Sequence, residues 1–282
     1  MNSIGGVIPV LATPFDEGGD VDPEGLEKQA ARAIQDGADG LAMFGLASEY
    51  YKLTDDERRA LIRRLLRAAG EQLPVIISVT HHATEIAARQ AREAQDCGPA
   101  AIMILPPFFL DPPREAIVEH VACVAGAVDI PTILQYTPAQ TGIAEEVLAR
   151  VPVSIVKIDS VPFPPAAATV PARCVRLAGY MGLDLPDAVA AGCQGVMPTA
   201  SLVPLFRRLW DLLRDDPEQG CAFHQRLTPL LRFMMRSIEF LVACEKHLLL
   251  RRNIIGGNYS RRPRTILDRS EIDLLDQYFD AV

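Results

Sequence analysis

Short apolar segments alternate along this chain with longer segments in which apolar residues recur about every three to four positions. The short segments are rich in Val, Ile, Leu, Ala and Met, and they lie at residues 6–13, 40–45, 74–80, 100–107, 131–138, 153–160, 174–180 and 195–200. Strands that are apolar on both faces are typical of parallel sheets with helices on either side. The pattern therefore predicts eight buried parallel strands separated by helices.

The longer segments predict amphipathic helices, of which the clearest lie at residues 23–36, 54–70, 84–97 and 113–128. Thr54 precedes Glu57 by three residues, which is the spacing of a capping box at the start of a helix. Gly37, Gly98 and Gly192 follow predicted helix ends, where a left-handed residue commonly terminates the helix. These local signals support the boundaries that the hydrophobic pattern indicates.

Eight strand–helix units in one chain predict an α/β fold, the (β/α)8 TIM barrel. A doubly wound sheet is disfavoured because no GxGxxG turn follows the first predicted strand. Beyond residue 204 the pattern becomes helical to about residue 250, and a last helix is predicted over 270–281. We expect a barrel over 1–215 and a C-terminal helical appendage over 216–282 in the same domain, since no flexible linker separates them.

Composition narrows the possible partners of this protein of 282 residues. A net charge of −8 disfavours nucleic acid as a partner, and no uncharged apolar stretch is long enough to predict a membrane span. The N-terminus lacks the pattern of a signal peptide. The six cysteines are scattered without metal-ligand spacing, so we expect buried free thiols, no bound metal and a cytoplasmic location. A small-molecule enzyme fits this composition best.

Lys157 is the most informative single residue, since the chain has only four lysines against 24 arginines. The other three, Lys28, Lys52 and Lys246, are interpreted as exposed or helical. Lys157 lies near the carboxyl end of the sixth apolar segment, and the active sites of such barrels lie at that end of the strands. Burial disfavours the ammonium form, and a neutral amine can form a Schiff base with a carbonyl substrate. Alternatively, its stem packs in the core and its head reaches solvent.

Five segments, in their order and spacing, carry a resemblance to a known family: 6–15 (GVIPVLATPF), 45–54 (GLASEYYKLT), 106–109 (PPFF), 133–142 (ILQYTPAQTG) and 154–160 (SIVKIDS). Over nearly its whole length the chain resembles the dihydrodipicolinate synthase / N-acetylneuraminate lyase family. The resemblance implies a (β/α)8 barrel with extra C-terminal helices, a Schiff base on Lys157 and no cofactor. It also implies a homotetramer built as a dimer of dimers.

The chain departs from the family pattern in the segment after the second strand. The paired threonines that grip the substrate carboxylate in the family correspond to Leu46 and Ala47, neither of which carries a hydroxyl group. Ser48 stands in place of a glycine, and we expect its hydroxyl to replace part of what the threonines supply. Glu49 matches a family glutamate whose role is more structural than chemical. Leu46, Ala47 and Ser48 are therefore predicted substrate-binding positions.

The family's proton relay is also changed. Its strand-five tyrosine corresponds to Gln135, whose amide can hydrogen-bond substrate but cannot act as an acid near neutral pH. Tyr136, one position on, is a candidate relocated phenol, although strand alternation sends it to the opposite face unless a bulge intervenes. The second relay tyrosine corresponds to Phe109, and a substrate-binding arginine corresponds to Gln140. Gln135 and Tyr136 are predicted catalytic residues, and Phe109 and Gln140 are predicted to bind substrate.

Further candidates follow the remaining strands. Tyr180 and Met197, after the seventh and eighth strands, are predicted to contact substrate. The tandem histidines His81 and His82 follow the third strand, but no carboxylate accompanies them at metal spacing. Packing near a subunit contact is therefore the preferred interpretation of this pair.

These observations predict a class I, Schiff-base lyase that acts on pyruvate or another 2-oxo acid, as an aldolase or a dehydratase. Formation of dihydrodipicolinate is not expected, because most of the proton relay is replaced. The alternative is a family member that has lost catalysis and binds a small metabolite as a sensor or partner subunit. Covalent trapping of a substrate on Lys157 distinguishes the two hypotheses.

Overall fold

The computed structural model describes residues 4–108, 112–137 and 143–282. Within these residues eight parallel strands form one sheet: β1 Gly6–Val7, β2 Leu41–Met43, β3 Val75–Val79, β4 Ala101–Ile104, β5 Thr132–Tyr136, β6 Ile155–Ile158, β7 Val175–Ala178 and β8 Gly195–Val196. Each strand from β2 to β7 pairs with the next one along the chain, and β8 also pairs with β1. Each of the eight predicted apolar segments contains one of these strands.

The sheet closes on itself just beyond the end of β1. Val10 forms parallel bridges with Ala42 on one side and with Thr199 on the other. The backbone N–H of Leu11 donates to the carbonyl of Ala42 at 2.8 Å, and the N–H of Ala42 donates to the carbonyl of Pro9 at 2.9 Å. These bonds join the first strand to the second and close the sheet. The predicted (β/α)8 barrel is therefore confirmed.

Each strand is followed by a helix: α1 Pro23–Gln35, α2 Asp55–Ala69, α3 Thr84–Gln95, α4 Arg114–Ala125, α5 Ile143–Arg150, α6 Phe163–Ala168, α7 Leu185–Ala190 and α8 Val203–Asp215. The predicted capping box is present, because Thr54 Oγ1 accepts from the N–H of Glu57 and the Glu57 carboxylate accepts from the N–H of Thr54. Gly37, Gly98 and Gly192 have φ values of 91°, 89° and 81°, as expected at left-handed helix ends.

Three further helices extend the barrel: α9 Pro217–Met234, α10 Ile238–Arg251 and α11 Arg269–Asp280. The division that the sequence suggested after residue 215 falls between α8 and α9. Helix α10 packs against two 3-10 helices, Leu46–Ser48 and Ala200–Leu202, which follow β2 and β8. The C-terminal helices therefore cover part of the carboxyl end of the barrel.

The buried side chains form two layers, separated by the strands themselves. The interior of the barrel holds Ile8, Val10, Ala42, Ile76, Ala101, Met103, Ile133, Ile155, Leu177 and Met197. The larger layer lies between the strands and the surrounding helices. Successive residues of a strand point to opposite faces, so each strand contributes to both layers. This alternation decides which side chains near the carboxyl ends face the cavity.

The strands are shorter than the apolar segments that predicted them. The segment at 6–13 contains the two-residue strand Gly6–Val7, and the segment at 195–200 contains Gly195–Val196. The remaining residues of both segments are buried in the connections that follow. Hydrophobicity reports burial rather than backbone pairing, so the pattern located each strand but overestimated its length.

Other expectations from composition have mixed outcomes. Among the described residues, no helix combines the length and the apolar character needed to cross a membrane. All six cysteines are free, but only Cys174, Cys193 and Cys244 are buried, whereas Cys123 and Cys221 are exposed. The prediction that most thiols are buried is therefore only half correct, because cysteines within helices can also lie on the outer face.

His120 is a buried titratable group in α4, and its side chain is 2% exposed. Nδ1 lies 3.0 Å from the hydroxyl of Thr84, and Nε2 has no hydrogen-bond partner within the described part of the chain. Burial, with a smaller contribution from the neighbouring His82 and His81, lowers the pKa of His120 to about 4. The ring is therefore neutral in the folded protein at pH 5 to 6 (about one unit or more above that pKa).

We expect the free energy of unfolding to decrease as the pH falls from about 6.5 to about 4. In that range the unfolded chain binds a proton at His120 and the folded chain does not, so acid favours unfolding. The contribution is about 1–2 kcal/mol after allowance for solvent screening. Urea unfolding at several pH values should show that the free energy of unfolding decreases less with falling pH in His120→Gln than in the wild type. His247→Gln, a partly exposed histidine, is the control. An unchanged slope in His120→Gln would contradict this interpretation.

Candidate active site

A cavity of about 170 Å³ opens at the carboxyl end of the barrel. Strands β5 and β6, the segments after β2, β7 and β8, and the start of helix α10 enclose it. Much of its wall is aliphatic or thioether in character, with contributions from Leu46, Ala47, Met181, Met197, Met235 and Ile238. Among the described residues that line it, the charged side chains are Lys157 and Asp159. The cavity is therefore apolar around a single pair of opposite charges.

Lys157 lies in β6, with Gln135 of β5 and Leu177 of β7 beside it in register. Its side chain points to the cavity and the residue is 8% exposed, as the sequence predicted for a buried lysine at this end. The ammonium is not isolated, however, because Nζ lies 3.1 Å from Oδ2 of Asp159. The carboxylate offsets part of the cost of burying the charged amine. The sequence analysis did not assign this partner to Lys157.

Asp159 is the principal site residue that the sequence analysis missed. It follows β6 directly and lies two residues after Lys157, so both side chains leave the strand on the same side. Its Oδ2 accepts a hydrogen bond from Nε2 of Gln135 at 2.7 Å, and its Oδ1 accepts one from the backbone N–H of Tyr180 at 2.8 Å. The i, i+2 spacing of Lys and Asp in a predicted strand was the signal that could have revealed this pair.

Gly179 leaves the space that the Asp159 carboxylate occupies. A Cβ atom at this position would lie 1.9 Å from Oδ1 of Asp159 and 3.1 Å from Cε of Lys157. Both distances are below ordinary van der Waals contact for carbon. A glycine after β7 is therefore needed for the arrangement of Lys157 and Asp159, whereas its φ of −97° places no demand on residue type.

The two predicted catalytic residues of β5 lie on opposite faces of the sheet. Gln135 lines the cavity, where its amide contacts the Asp159 carboxylate. Tyr136 is 3% exposed and packs in the layer between the strands and the helices. The strand is regular at this point, with Gln135 paired to Lys157 and Tyr136 paired to Ile158, so no bulge turns the phenol inward. The catalytic role predicted for Tyr136 is thus contradicted by its position.

Of the three predicted substrate-binding residues after β2, two line the cavity and one does not. Leu46 and Ala47 line the cavity. The Ser48 hydroxyl is buried away from it, donating to the carbonyl of Leu11 at 2.6 Å and accepting from the N–H of Phe44 at 3.0 Å. Both hydrogen bonds hold the loop itself. The prediction that Ser48 replaces the family threonines is therefore wrong, because its hydroxyl is already used by the backbone.

Glu49 and Lys246 form a buried ion pair behind this loop. Lys246 Nζ lies 2.5 Å from Oε2 of Glu49, and both side chains are fully buried. Lys52 Nζ contacts the other carboxylate oxygen at 2.9 Å. Burial lowers the pKa of Lys246 to about 8, and the Glu49 carboxylate opposes that shift. Lys246 lies in helix α10, as the sequence indicated, but its side chain is not exposed, because α10 buries it against the second-strand loop.

Tyr180 and Met197, which were predicted to contact substrate, both line the cavity. Met197 also belongs to the barrel interior, directly below the opening. Tyr180 is 41% exposed, and its backbone rather than its phenol contacts Asp159. Its φ is 49°, and the following Met181 has φ 53°, so two consecutive residues adopt the left-handed conformation. The hydrogen bond from the Tyr180 N–H to Asp159 helps to hold this unusual turn.

The remaining candidates lie elsewhere. His81 and His82 line a separate cavity together with Phe108, and the ring centroids of His82 and Phe108 are 5.3 Å apart. In the part of the chain that the structure describes, no group of three His, Cys, Asp or Glu side chains has the arrangement of a metal site. The predicted substrate-binding residues Phe109 and Gln140 lie outside the described residues.

Comparison with known proteins connects this geometry to a family. A family model described as the dihydrodipicolinate synthetase family matches residues 3–156, ending one residue before Lys157. An L-2-keto-3-deoxyarabonate dehydratase from Azospirillum brasilense is 28% identical over 277 residues, covering 92% of this chain and 88% of the relative. A 4-hydroxy-tetrahydrodipicolinate synthase from Methanopyrus kandleri is 29% identical, with 81% of each chain covered.

Solved structures share the fold over almost the whole chain. The crystal structure of dihydrodipicolinate synthase from Aquifex aeolicus has a TM-score of 0.89 at 21% identity and covers 98% of this chain and 97% of its own. The corresponding enzyme from Thermotoga maritima has a TM-score of 0.89 at 20% identity, with the same coverage. At these identities the similarity establishes the barrel and its C-terminal helices.

Proposed function

Because the chain belongs to the dihydrodipicolinate synthetase family, we propose that Lys157 forms a Schiff base with the carbonyl group of a small 2-oxo acid. Members of this family are class I lyases, and the chain is a lyase of the aldolase or dehydratase type. The observation that carries the assignment to Lys157 is its position, buried at the carboxyl end of β6 and facing the cavity.

The chemistry follows from the amine. Nζ of Lys157 adds to the carbonyl carbon, and loss of water from the resulting carbinolamine gives an iminium ion. The iminium withdraws electrons from the adjacent carbon–carbon or carbon–hydrogen bond, so it stabilises the carbanion formed when that bond breaks. A retro-aldol cleavage, an aldol addition or the elimination of a β-hydroxyl group then proceeds without a metal or an organic cofactor.

The wall of the cavity restricts the substrate. Leu46 and Ala47 have no hydrogen-bonding side chains, so only their backbone is able to contact a substrate carboxylate. Met181, Met197 and Ile238 favour an apolar substituent over a hydroxylated chain. We therefore propose that the enzyme is not a true dihydrodipicolinate synthase and that its preferred 2-oxo acid is less polar than a sugar acid.

The alternative of a metabolite-binding protein without turnover is less well supported. A binding protein requires no nucleophile, yet the cavity presents an amine and a carboxylate 3.1 Å apart. Such a pair is costly to bury in an apolar environment unless it contributes to function. The family resemblance further supports a homotetramer built as a dimer of dimers, and we propose that the enzyme acts in the cytoplasm.

Borohydride trapping tests the role of Lys157. The wild type is incubated with pyruvate, 2-oxobutyrate or 2-oxovalerate and reduced, and we expect a covalent mass increase located on the peptide that contains Lys157. Lys157→Ala should show no adduct, since the nucleophile is absent. Lys28→Ala removes an exposed lysine and should leave the adduct unchanged. Failure of every 2-oxo acid to label the folded wild type would contradict the proposal.

A further inference from the structure

We propose that Asp159 performs the proton transfers of Schiff-base chemistry in this enzyme, the task for which the family uses a tyrosine that is absent here. This inference rests on the proposed function of Lys157. It assigns a catalytic role to a residue for which the family resemblance offers no counterpart. In this proposal a carboxylate at the end of β6 takes the place of the acid–base tyrosine that the family has on β5.

The distance between the two groups supports a direct proton transfer. Oδ2 of Asp159 lies 3.1 Å from Nζ of Lys157, within the range of heavy-atom separations at which a general base acts. Both residues are buried, at 9% and 8% exposed, so bulk water does not separate them. A carbonyl carbon bonded to Nζ therefore brings its oxygen and its neighbouring carbon close to the carboxylate.

Other polar groups at the cavity are poorer candidates. The Gln135 amide neither gains nor loses a proton near neutral pH. The hydroxyl groups of Thr137 and Thr199 are weak acids, so they are poorly suited to proton transfer near neutral pH. The Tyr136 phenol lies on the other face of β5, and Tyr180 is 41% exposed. Among the described residues that line the cavity, Asp159 is the one that carries a carboxyl group, and it lies beside the Lys157 amine.

The protons balance from the resting Lys157 ammonium to the carbanion formed on the substrate. Asp159 first takes a proton from the Lys157 ammonium, which yields a carboxylic acid and a free amine. The amine attacks the carbonyl carbon while Asp159 donates this proton to the carbonyl oxygen, which becomes a hydroxyl group. The carboxylate then takes a proton from the positively charged nitrogen and donates it to the hydroxyl, which leaves as water to give the iminium. The regenerated carboxylate then removes a proton from the carbon next to the iminium. Each step uses a group already in the cavity or on the substrate.

Two neighbours fix the orientation of the carboxylate. The Tyr180 N–H binds Oδ1 at 2.8 Å, and the Gln135 amide binds Oδ2 at 2.7 Å, the same oxygen that faces Lys157. Gln135 is thus a positioning residue in this scheme. Its amide replaces the phenol of the family by holding the acid–base group rather than by transferring a proton itself.

The test measures partial reactions that precede any substrate-specific step. One assay follows the rate of adduct formation with pyruvate under borohydride. The other follows the incorporation of deuterium from D2O into the pyruvate methyl group by NMR, which reports proton removal from the iminium. For Asp159→Asn we expect both rates to decrease by about 10²–10⁴-fold. Asp211→Asn, which alters an exposed aspartate, should retain wild-type rates.

A second pair of variants separates acid–base catalysis from support of the structure. Asp159→Ala opens space for a small carboxylate. Added formate should therefore increase the deuterium exchange rate of this variant at least about tenfold. The same formate should have no effect on Lys157→Ala. Asp159→Glu retains the carboxyl group and should exceed Asp159→Asn in both assays. A purely structural role for Asp159 predicts no rescue by formate.

The outcomes separate this inference from the proposed function. If the folded wild type forms no adduct, the role of Lys157 fails, and the role of Asp159 fails with it. If the wild type and Asp159→Asn form adducts and exchange protons at equal rates, Lys157 remains the nucleophile and the assignment of Asp159 is overturned. Circular dichroism and thermal melting confirm that each variant compared is folded.

Discussion

Replacing Gly179 with alanine is expected to slow adduct formation by about 10²–10⁴-fold while the barrel remains folded. The added Cβ would lie 1.9 Å from Oδ1 of Asp159, so the carboxylate has to move. Its hydrogen bond to the Tyr180 N–H and its contact with Lys157 are then lost together. Since the φ of Gly179 is −97°, the alanine does not have to adopt a left-handed backbone conformation.

The measurement is the same borohydride assay, combined with circular dichroism and a thermal melt. Gly257→Ala is the matched control, because a Cβ there meets no atom within 4 Å and the position has no positive φ. We expect Gly257→Ala to react at the wild-type rate. Full activity of Gly179→Ala would show that the observed position of Asp159 is not needed for the reaction.

The second large effect concerns stability rather than chemistry. Glu49→Gln is expected to lower the free energy of unfolding by about 3–5 kcal/mol, because it removes the carboxylate shared by two lysines. Lys246 is fully buried, and its remaining close partners would be neutral: the Tyr259 carbonyl, the Ser260 hydroxyl and the face of the Phe15 ring. Lys52 would retain its contact with Glu239 at 3.2 Å, so most of the cost arises at Lys246.

Urea unfolding at constant pH measures this difference. Glu27→Gln breaks an exposed pair with Arg64 and should change stability by only about 0–1 kcal/mol. The double variant Glu49→Gln/Lys246→Met removes the uncompensated charge, so it should be more stable than Glu49→Gln alone. Equal stability of Glu49→Gln and the wild type would mean that the buried pair contributes nothing to the fold.

The proposed site combines the candidate nucleophile Lys157 with altered partners. Lys157 occupies the position that the family resemblance implies, but the groups around it differ. Leu46 and Ala47 make the wall apolar, and Asp159 introduces a carboxylate next to the amine. In our proposals the first change alters the choice of 2-oxo acid, whereas the second restores a means of proton transfer. Substrate range and proton transfer can therefore be tested separately.

Much of the barrel was predictable because its signals are local. The apolar segments located all eight strands, and Gly37, Gly98 and Gly192 marked helix ends correctly. Strand alternation already indicated that Gln135 and Tyr136 face opposite sides, which the structure confirms. Such features depend on residues close together in sequence, so they need no knowledge of the tertiary contacts.

The errors occurred where distant segments meet. Ser48 donates to the carbonyl of Leu11, in the segment after the neighbouring first strand, so its hydroxyl is not available to substrate. Lys246 is buried because α10 packs on the loop that carries Glu49, nearly 200 residues earlier in the chain. A helical pattern alone does not reveal which of its polar positions has a buried partner.

By itself the sequence determined the kind of fold and the strand that carries Lys157, and its resemblance to the family indicated the loss of hydroxyl groups near that lysine. Periodicity and side-chain chemistry are properties of the chain and need no partner to be recognised. Only the tertiary structure decided what surrounds the amine. The contacts of Asp159 with Gln135 and the Tyr180 N–H join three strands or their connections, and the space beside Gly179 exists only when those strands are assembled. Hydrogen bonds and excluded volume act between neighbours in space, and that is why the proton-transfer partner of Lys157 became visible only in the folded barrel.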